Sequence, residues 1–137
     1  MPATLKLEIV TPEAVSFSGD VEMVTLPGVE GEMGIYPQHV PLMTQLVPGE
    51  LVVRKDGQEI FLAVGDGFVE VTATSVAILT DMAIPADQID EAKAEEAKRR
   101  AEGRLAEHMD DEETATVQAA LANSTALLNV KRRHHRR

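Results

Sequence analysis

The sequence predicts an α+β protein in which an antiparallel β domain, a sandwich or a barrel, precedes an antiparallel two-helix hairpin. Three observations predict this fold and the division of the chain into parts. Residues 1–84 hold short segments of strand periodicity separated by turn signals. Residues 85–130 are rich in Ala, Glu, Lys and Arg, which are strong helix formers. Residues 131–137 carry five basic residues and no acid. The chain is therefore divided into a β domain (1–84), a helical hairpin (85–130) and a basic tail (131–137).

The strand pattern is clearest at the N-terminus, where apolar and polar residues alternate over Thr4–Val10. Asp56-Gly57 is the strongest hairpin signal because both residues tolerate the positive φ of a type I′ turn. Gly19-Asp20 indicates another turn, and the proline- and glycine-rich segment 27–49 receives no strand. Further strands are predicted at Ala14–Ser18, Val21–Leu26, Leu51–Lys55, Gln58–Val64, Phe68–Val71 and Val76–Thr80. All four aromatic residues lie in this domain, which indicates a self-contained core.

Two helices follow the β domain. Pro85 suits a helix entry, and Asp87 with Asp90 resembles a capping box. The first helix is predicted from Ile89 to about Glu107, and the second from about Glu112 to Val130. The connection between them is short, which favours an antiparallel hairpin.

The hairpin is poor in large apolar side chains. Residues 86–130 contain eleven alanines but only seven larger aliphatic residues. Burial of such a residue contributes about 1.5–3 kcal/mol, whereas ordering each backbone unit costs about 1–2 kcal/mol. We therefore expect the hairpin to need a partner surface, either its own β domain or another protein.

Composition and charge exclude several classes of protein. The chain has no cysteine, so disulfides and thiolate metal sites are excluded. The net charge is −10, and residues 1–130 carry −15 because the tail contributes +5. A body of that charge repels nucleic acid. No apolar run has the length of a membrane helix, so a soluble, intracellular type of protein is expected. The tail is either a mobile extension or an electrostatic anchor for an acidic protein or anionic lipid.

The sequence offers little catalytic chemistry. The glycines at 28, 31 and 34 lack the lysine of a P-loop, and Gly65-Asp66-Gly67 is not followed by a helix. Glu30 and Glu32 have no nucleophile or metal ligand near them in sequence, so no enzyme activity, metal or cofactor is expected. The basic residues of the first helix are either a solvated face or a docking face for an acidic partner. They are Lys93, Lys98, Arg99, Arg100 and Arg104.

The segment LPGVEGEMGIYPQHVPLMT, residues 26–44, closely resembles the signature of the epsilon subunit of bacterial F-type ATP synthase. The resemblance also covers Leu7–Pro12, Phe17-Ser18-Gly19 and Asp90-Glu91-Ala92. It implies a β-sandwich of about ten strands followed by a two-helix hairpin. It implies a non-catalytic, peripheral subunit in the central stalk, on the cytoplasmic face of the inner membrane.

In that family the subunit couples rotation to ATP synthesis and often restrains ATP hydrolysis. The implied partners are the gamma subunit, the c-ring and, through the hairpin, the alpha/beta head. Glu30, Gly31, Glu32 and His39 match the positions that contact the c-ring or gamma. A free-standing adaptor and an ATP-sensing regulator are the alternatives.

The sequence departs from the family pattern at two places. Gln38 stands where glycine is common, so a turn of different geometry is expected. The ATP-binding members carry arginine where this chain has Lys93, although Ile89, Asp90 and Arg100 match. Lysine does not reproduce a planar guanidinium contact, so weak or no ATP binding is expected.

Overall fold

The computed structural model describes residues 3–134, and its elements are ten strands followed by two helices. The strands are β1 (Leu5–Val10), β2 (Val15–Val21), β3 (Met23–Gly28), β4 (Gly31–Ile35), β5 (Leu42–Leu46), β6 (Gly49–Lys55), β7 (Gln58–Val64), β8 (Gly67–Val71), β9 (Ser75–Thr80) and β10 (Ala83–Pro85). The helices are α1 (Glu91–Leu105) and α2 (Asp111–His134), and a 3₁₀ turn at Ala86–Gln88 precedes α1.

The strands pair in the order β10-β7-β6-β3-β5-β8-β9-β1-β2, and β4 pairs with β3. The sheet folds over an aliphatic core into two layers, which confirms the predicted sandwich with its C-terminal helical hairpin. The pairs are antiparallel except for β1 and β9, which run parallel. Since β1 forms a hairpin with β2 on one side, its other edge takes a strand that is distant in sequence.

Three strands lie where none is predicted. β4 and β5 lie inside the segment rich in glycine and proline, and β10 ends at Pro85, which was expected to enter a helix. Pairing with β3, β8 and β7 supplies the hydrogen bonds that compensate for low strand propensity. Asp90, and not Asp87, caps α1, because its side chain accepts a hydrogen bond from the Lys93 amide.

One predicted turn is wrong and one is confirmed. Gly19 and Asp20 lie within β2, opposite Leu7 and Lys6 of β1, because strand pairing overrides the local turn preference. Asp56 and Gly57 form the predicted two-residue hairpin loop, with φ of 54° and 75°.

The sandwich core is aliphatic. It consists of Leu5, Leu7, Ile9, Val21, Val24, Leu26, Ile35, Leu46, Leu51, Val53, Leu62, Val64, Val69, Val71, Val76 and Ile78. The core lies within the β domain as expected, but the aromatic residues contribute little to it: Tyr36 and Phe68 are exposed, and Phe17 only packs against its margin. Since exposed aromatic residues are common at interfaces, Tyr36 and Phe68 mark candidate contact surfaces.

The hairpin packs on its own sandwich, one of the two partner surfaces expected for it. Ile89 and Val130 are buried against Ala63 of β7, with Leu127 at the margin of this small cluster. Alanines at 94 and 101 are buried where α1 meets α2, which lets the two helices approach closely.

Four residues of the predicted basic tail, 131–134, are helical. α2 continues through His134, so residues 131–134 belong to its last turn, and residues 135–137 lie outside the described residues. Arg132 pairs with Glu91 at 3.0 Å and with Glu95 at 3.4 Å, both on α1. The hydrogen bond from Arg132 to Glu91 raises the pKa of the guanidinium above its ordinary value. The tail was expected to be a mobile extension or an anchor for an external surface. Acidic partners on α1 and on the sandwich instead order residues 131–134.

Gln38 has a φ of 69°, the left-handed conformation that glycine adopts most easily. We expect Gln38→Gly to raise the free energy of unfolding by about 1 kcal/mol, because a Cβ is unfavourable at this φ. Urea denaturation followed by circular dichroism measures the change. Gln38→Ala is the control and should give no gain; equal stability of all three proteins would contradict the prediction.

Candidate interaction surfaces

The tight turn between β3 and β4 displays two carboxylates. Gly31 has a φ of 128°, a conformation that side chains rarely adopt, and it lies between the exposed residues Glu30 and Glu32. Gly28 pairs with Gly31, so the chain reverses sharply at Val29 and Glu30. Glu32, although exposed, also lines a cavity that Glu50 and α2 border. The structure therefore brings three of the four predicted contact residues together.

The fourth predicted contact residue, His39, lies at the other end of β4. It follows this strand in the loop that leads to β5, and its Nδ1 lies 2.7 Å from the Val40 carbonyl oxygen. β4 has five residues, about 16 Å at roughly 3.3 Å per residue. The two ends of the predicted contact set are therefore separate surfaces.

An apolar row crosses the outer face of the sheet and was not predicted. Phe68 of β8 lies opposite Leu79 of β9, Leu79 lies opposite Val10 of β1, and Val10 lies opposite Val15 of β2. Phe68, Leu79 and Val15 are each more than half exposed, at 62%, 59% and 57%. The row lies on the β8–β9–β1–β2 layer, whereas the hairpin packs on β6 and β7.

The apolar row can be recognised from the sequence only when the order and register of the strands are known. Val10, Phe68 and Leu79 are single apolar residues at positions where their strands otherwise face solvent, and such residues are common on any protein surface. Val15 lies beside Val10 because the register of β1 and β2 shifts after Ile9. The register places them side by side. A contiguous exposed apolar row is a recognised mark of a protein interface.

The five basic residues of α1 do not share one face. At about 100° per residue, Lys93, Arg100 and Arg104 fall within about 40° of one another, whereas Lys98 and Arg99 project elsewhere. Arg100 pairs with Glu96 at 2.9 Å. Arg104 lies 3.3 Å from Glu107 and 3.8 Å from Glu113. We call Lys93, Arg100 and Arg104 the basic stripe.

The residues matched to an ATP site are already engaged. Ile89 is buried beneath the hairpin, and the Asp90 carboxylate caps α1 at 3.1 Å from the Lys93 amide. Lys93 and Arg100 are seven residues apart, which separates their backbones by about 10 Å along the helix. Arg100 already pairs with Glu96 at 2.9 Å, and a ligand that reaches both cations must extend along the surface of α1.

We expect ATP to bind weakly or not at all, because lysine replaces a bidentate arginine and Asp90 is committed to the cap. Isothermal titration calorimetry of the intact chain with ATP measures this. Lys93→Arg, which restores the guanidinium, is the comparison variant and should bind more tightly. A micromolar dissociation constant for the parent chain would contradict the prediction.

The described residues lack two kinds of arrangement that would bear on the chemistry of the site. Within residues 3–134, no group of three or more His, Cys, Asp or Glu side chains is arranged to hold a metal ion. In the same range, no helix is both long and apolar enough to cross a membrane.

A sandwich that carries a helical hairpin on one outer face and an exposed apolar row on another is typical of a protein that acts by binding partners. The family described as "ATP synthase, Delta/Epsilon chain, beta-sandwich domain" matches residues 4–86. The family described as "ATP synthase, Delta/Epsilon chain, long alpha-helix domain" matches residues 87–132. The chain therefore belongs to the delta/epsilon chain family, and it is an epsilon subunit of F-type ATP synthase, a non-catalytic subunit of the central stalk.

Whole-chain relatives agree with this assignment. The chain is 42% identical to an ATP synthase epsilon chain of Laribacter hongkongensis, covering 97% of this chain and 99% of the relative. It is 43% identical to one of Chromobacterium violaceum, with 96% and 98% covered. A chain in the mitochondrial ATP synthase structure of Euglena gracilis, which includes OSCP, F1 and c-ring, superposes with a TM-score of 0.76 at 27% identity, covering 93% of this chain and 81% of that one. A chain in the Tetrahymena thermophila central stalk and c-ring structure shows the same fold, with a TM-score of 0.67 at 14% identity over 93% and 96%.

Proposed function

We propose that this subunit couples rotation of the c-ring and the gamma subunit to ATP synthesis, and that it works as a peripheral protein on the cytoplasmic face of the inner membrane. The observation that carries the proposal is the apolar row of half-buried Val10 and exposed Val15, Phe68 and Leu79. A subunit that turns with a rotor needs a permanent contact with it. Large apolar contacts are typical of such permanent interfaces.

The apolar row is proposed to bind gamma. It lies away from the hairpin, so it stays available while the hairpin is packed on β6 and β7. Phe68 and Leu79 are the two largest side chains of the row and lie opposite each other, so a partner can exclude water from both. Aromatic and apolar residues at the centre of an interface usually carry most of its binding energy.

The acidic turn is proposed to contact the c-ring. Glu30 and Glu32 are exposed on either side of Gly31 in the tight turn between β3 and β4. His39 lies beyond the opposite end of β4, so we assign it to a second contact, with gamma. Charged residues at an interface rim contribute to orientation and association rate more than to affinity.

Purification of the native complex tests the proposal. An affinity-tagged chain should be recovered with the alpha, beta and gamma subunits and the c-ring. Recovery alone or with unrelated proteins would contradict the proposal and favour a free-standing adaptor.

The hairpin is proposed to restrain ATP hydrolysis by docking on the alpha/beta head through its basic residues. Exposed ion pairs contribute only about 0–1 kcal/mol each, so several must act together. We expect replacement of Lys93, Arg100 and Arg104 by alanine to raise the hydrolysis rate of the reassembled enzyme at low salt several-fold. At high salt, where these charges are screened, the difference from the parent should disappear.

The chain supplies a matched control for this measurement. Lys98→Ala with Arg99→Ala removes two charges from the same helix but leaves the basic stripe intact. This variant should behave nearly as the parent does. Parent-like hydrolysis and salt dependence in the three-residue variant would show that the stripe is only a solvated surface.

A further inference from the structure

The C-terminal turn of α2 ends in a specific site on the sandwich. Arg133 Nη1 donates to Glu50 Oε1 at 2.8 Å, and the Nε2 of His134 lies 2.5 Å from Glu50 Oε2. Both oxygens of one carboxylate are therefore used by two consecutive residues of the helix. The Glu50 side chain is only 17% exposed and that of His134 only 7%. Such charge-assisted contacts are stronger when they are withdrawn from water.

An aromatic contact completes this site. The imidazole of His134 stacks on the ring of Phe61, with centroids 3.7 Å apart and an interplanar angle of 16°. Phe61 and Glu50 lie on the neighbouring strands β7 and β6, whose register pairs Glu50 with Ala63 and Val52 with Phe61. Because alternate residues of a strand share a face, Phe61 and Glu50 lie on the outer face that also carries Ala63.

The neighbouring basic residue, Arg132, points to α1 instead. Its ion pairs with Glu91 and Glu95 join the end of α2 to the beginning of α1. Successive helical residues are about 100° apart, so three consecutive basic residues reach two different surfaces. Arg132 holds the hairpin together, whereas Arg133 and His134 hold it to the sandwich.

We propose that Glu50 and Phe61 form a receptor for Arg133 and His134, and that this latch holds the hairpin on the sandwich. The apolar contact between the two parts is small, with Ala63, Ile89 and Val130 as its buried members. When the latch opens, the hairpin leaves as one body about residues 86–90, because the contacts between α1 and α2 persist. The latch forms within the isolated subunit and does not depend on the proposed partners.

Distance measurements between introduced labels test the latch. The chain has no cysteine, so pairs of spin labels can be placed at exposed positions without background. Lys6→Cys with Gln118→Cys measures the distance from sandwich to hairpin, and Glu102→Cys with Gln118→Cys measures the distance between α1 and α2. Each pair is combined with Glu50→Gln, with the double variant Arg133→Gln/His134→Gln, or with the control Glu59→Gln. Glu59 pairs with Arg54 within the β6–β7 hairpin and makes a surface ion pair of ordinary exposure.

We expect each latch variant to raise the detached fraction about tenfold, seen as a second, longer sandwich-to-hairpin distance. Tenfold corresponds to about 1.4 kcal/mol, close to the loss of one charge-assisted hydrogen bond. Amide exchange at residues 126–133 should rise by a similar factor, while the distance between α1 and α2 and the control variant stay as in the parent. Combining the two latch variants should add little, because both remove the same contact.

Three results would overturn the proposal. Parent-like distances and exchange in both latch variants would show that apolar packing suffices. A change in the distance between α1 and α2 would show that α2 frays by itself. An equal effect of Glu59→Gln would show a general charge effect. If Glu50→Gln disturbs the sandwich, the Arg133→Gln/His134→Gln variant decides, because both residues lie outside it.

Discussion

Replacing Phe68 and Leu79 together by glutamate is expected to weaken binding of the isolated subunit to gamma about thousandfold. Removing two large apolar side chains that anchor an interface costs about 2 kcal/mol or more for each, and 4 kcal/mol is close to a factor of one thousand. Folding should be preserved, because both side chains are about 60% exposed in the free chain. Surface plasmon resonance with the gamma subunit of the same enzyme measures the affinity.

The control for this double variant adds the same two charges elsewhere. Gln58→Glu with Thr74→Glu places them at the exposed first residue of β7 and in the exposed turn between β8 and β9, away from the apolar row. This control should bind gamma nearly as the parent does. If the Phe68→Glu/Leu79→Glu variant keeps parent-like affinity and fold, the apolar row is not the gamma interface.

A single methyl group at Gly67 is expected to destabilise the sandwich by about 3 kcal/mol and to lower its melting temperature by about 10 °C. A Cβ at Gly67 would collide with the backbone of Leu79 and Thr80, the residues across the β8–β9 pair. Backbone atoms held in a sheet cannot move aside as a flexible side chain can. The strands would have to separate at this position.

The same chemical change at Gly103 provides the control, with the opposite sign. A Cβ there meets nothing within 4 Å, and Gly103 lies exposed in the interior of α1. Gly103→Ala should therefore stabilise the hairpin, by up to about 1 kcal/mol, through helix propensity alone. Differential scanning calorimetry of both variants gives the two shifts, and a Gly67→Ala protein as stable as the parent would contradict the account of that contact.

Much of the sandwich could be predicted because its signals are local. The alternation over Thr4–Val10 predicts the inward face of β1, and Leu5, Leu7 and Ile9 are buried as expected. Asp56-Gly57 predicts its hairpin from the φ preferences of two residues. Three strands were missed, and Gly19-Asp20 was misread as a turn, because pairing with a distant strand decided their conformation against their propensity.

The candidate surfaces divide in the same way. The signature segment predicts the acidic turn at Glu30–Glu32, since a tight turn and its exposed carboxylates need only neighbouring residues. The separation of His39 from that turn follows from the length of β4, a strand that the local pattern did not reveal. The helical pattern predicts basic residues along α1, but their angular positions exclude Lys98 and Arg99 from the stripe.

The sequence by itself determined the fold class, the order of its two parts, the hairpin turn at Asp56-Gly57 and the family of the chain. These follow from periodicity, φ preference and motif, which act over a few residues. Only the tertiary structure decided the apolar row and the destination of the last basic turn. Phe68, Leu79 and Val10 become neighbours through strand register, and Arg133 meets Glu50 across 83 residues. Such contacts form when the whole sheet and the docked helix bring distant segments together, so no local pattern contains them.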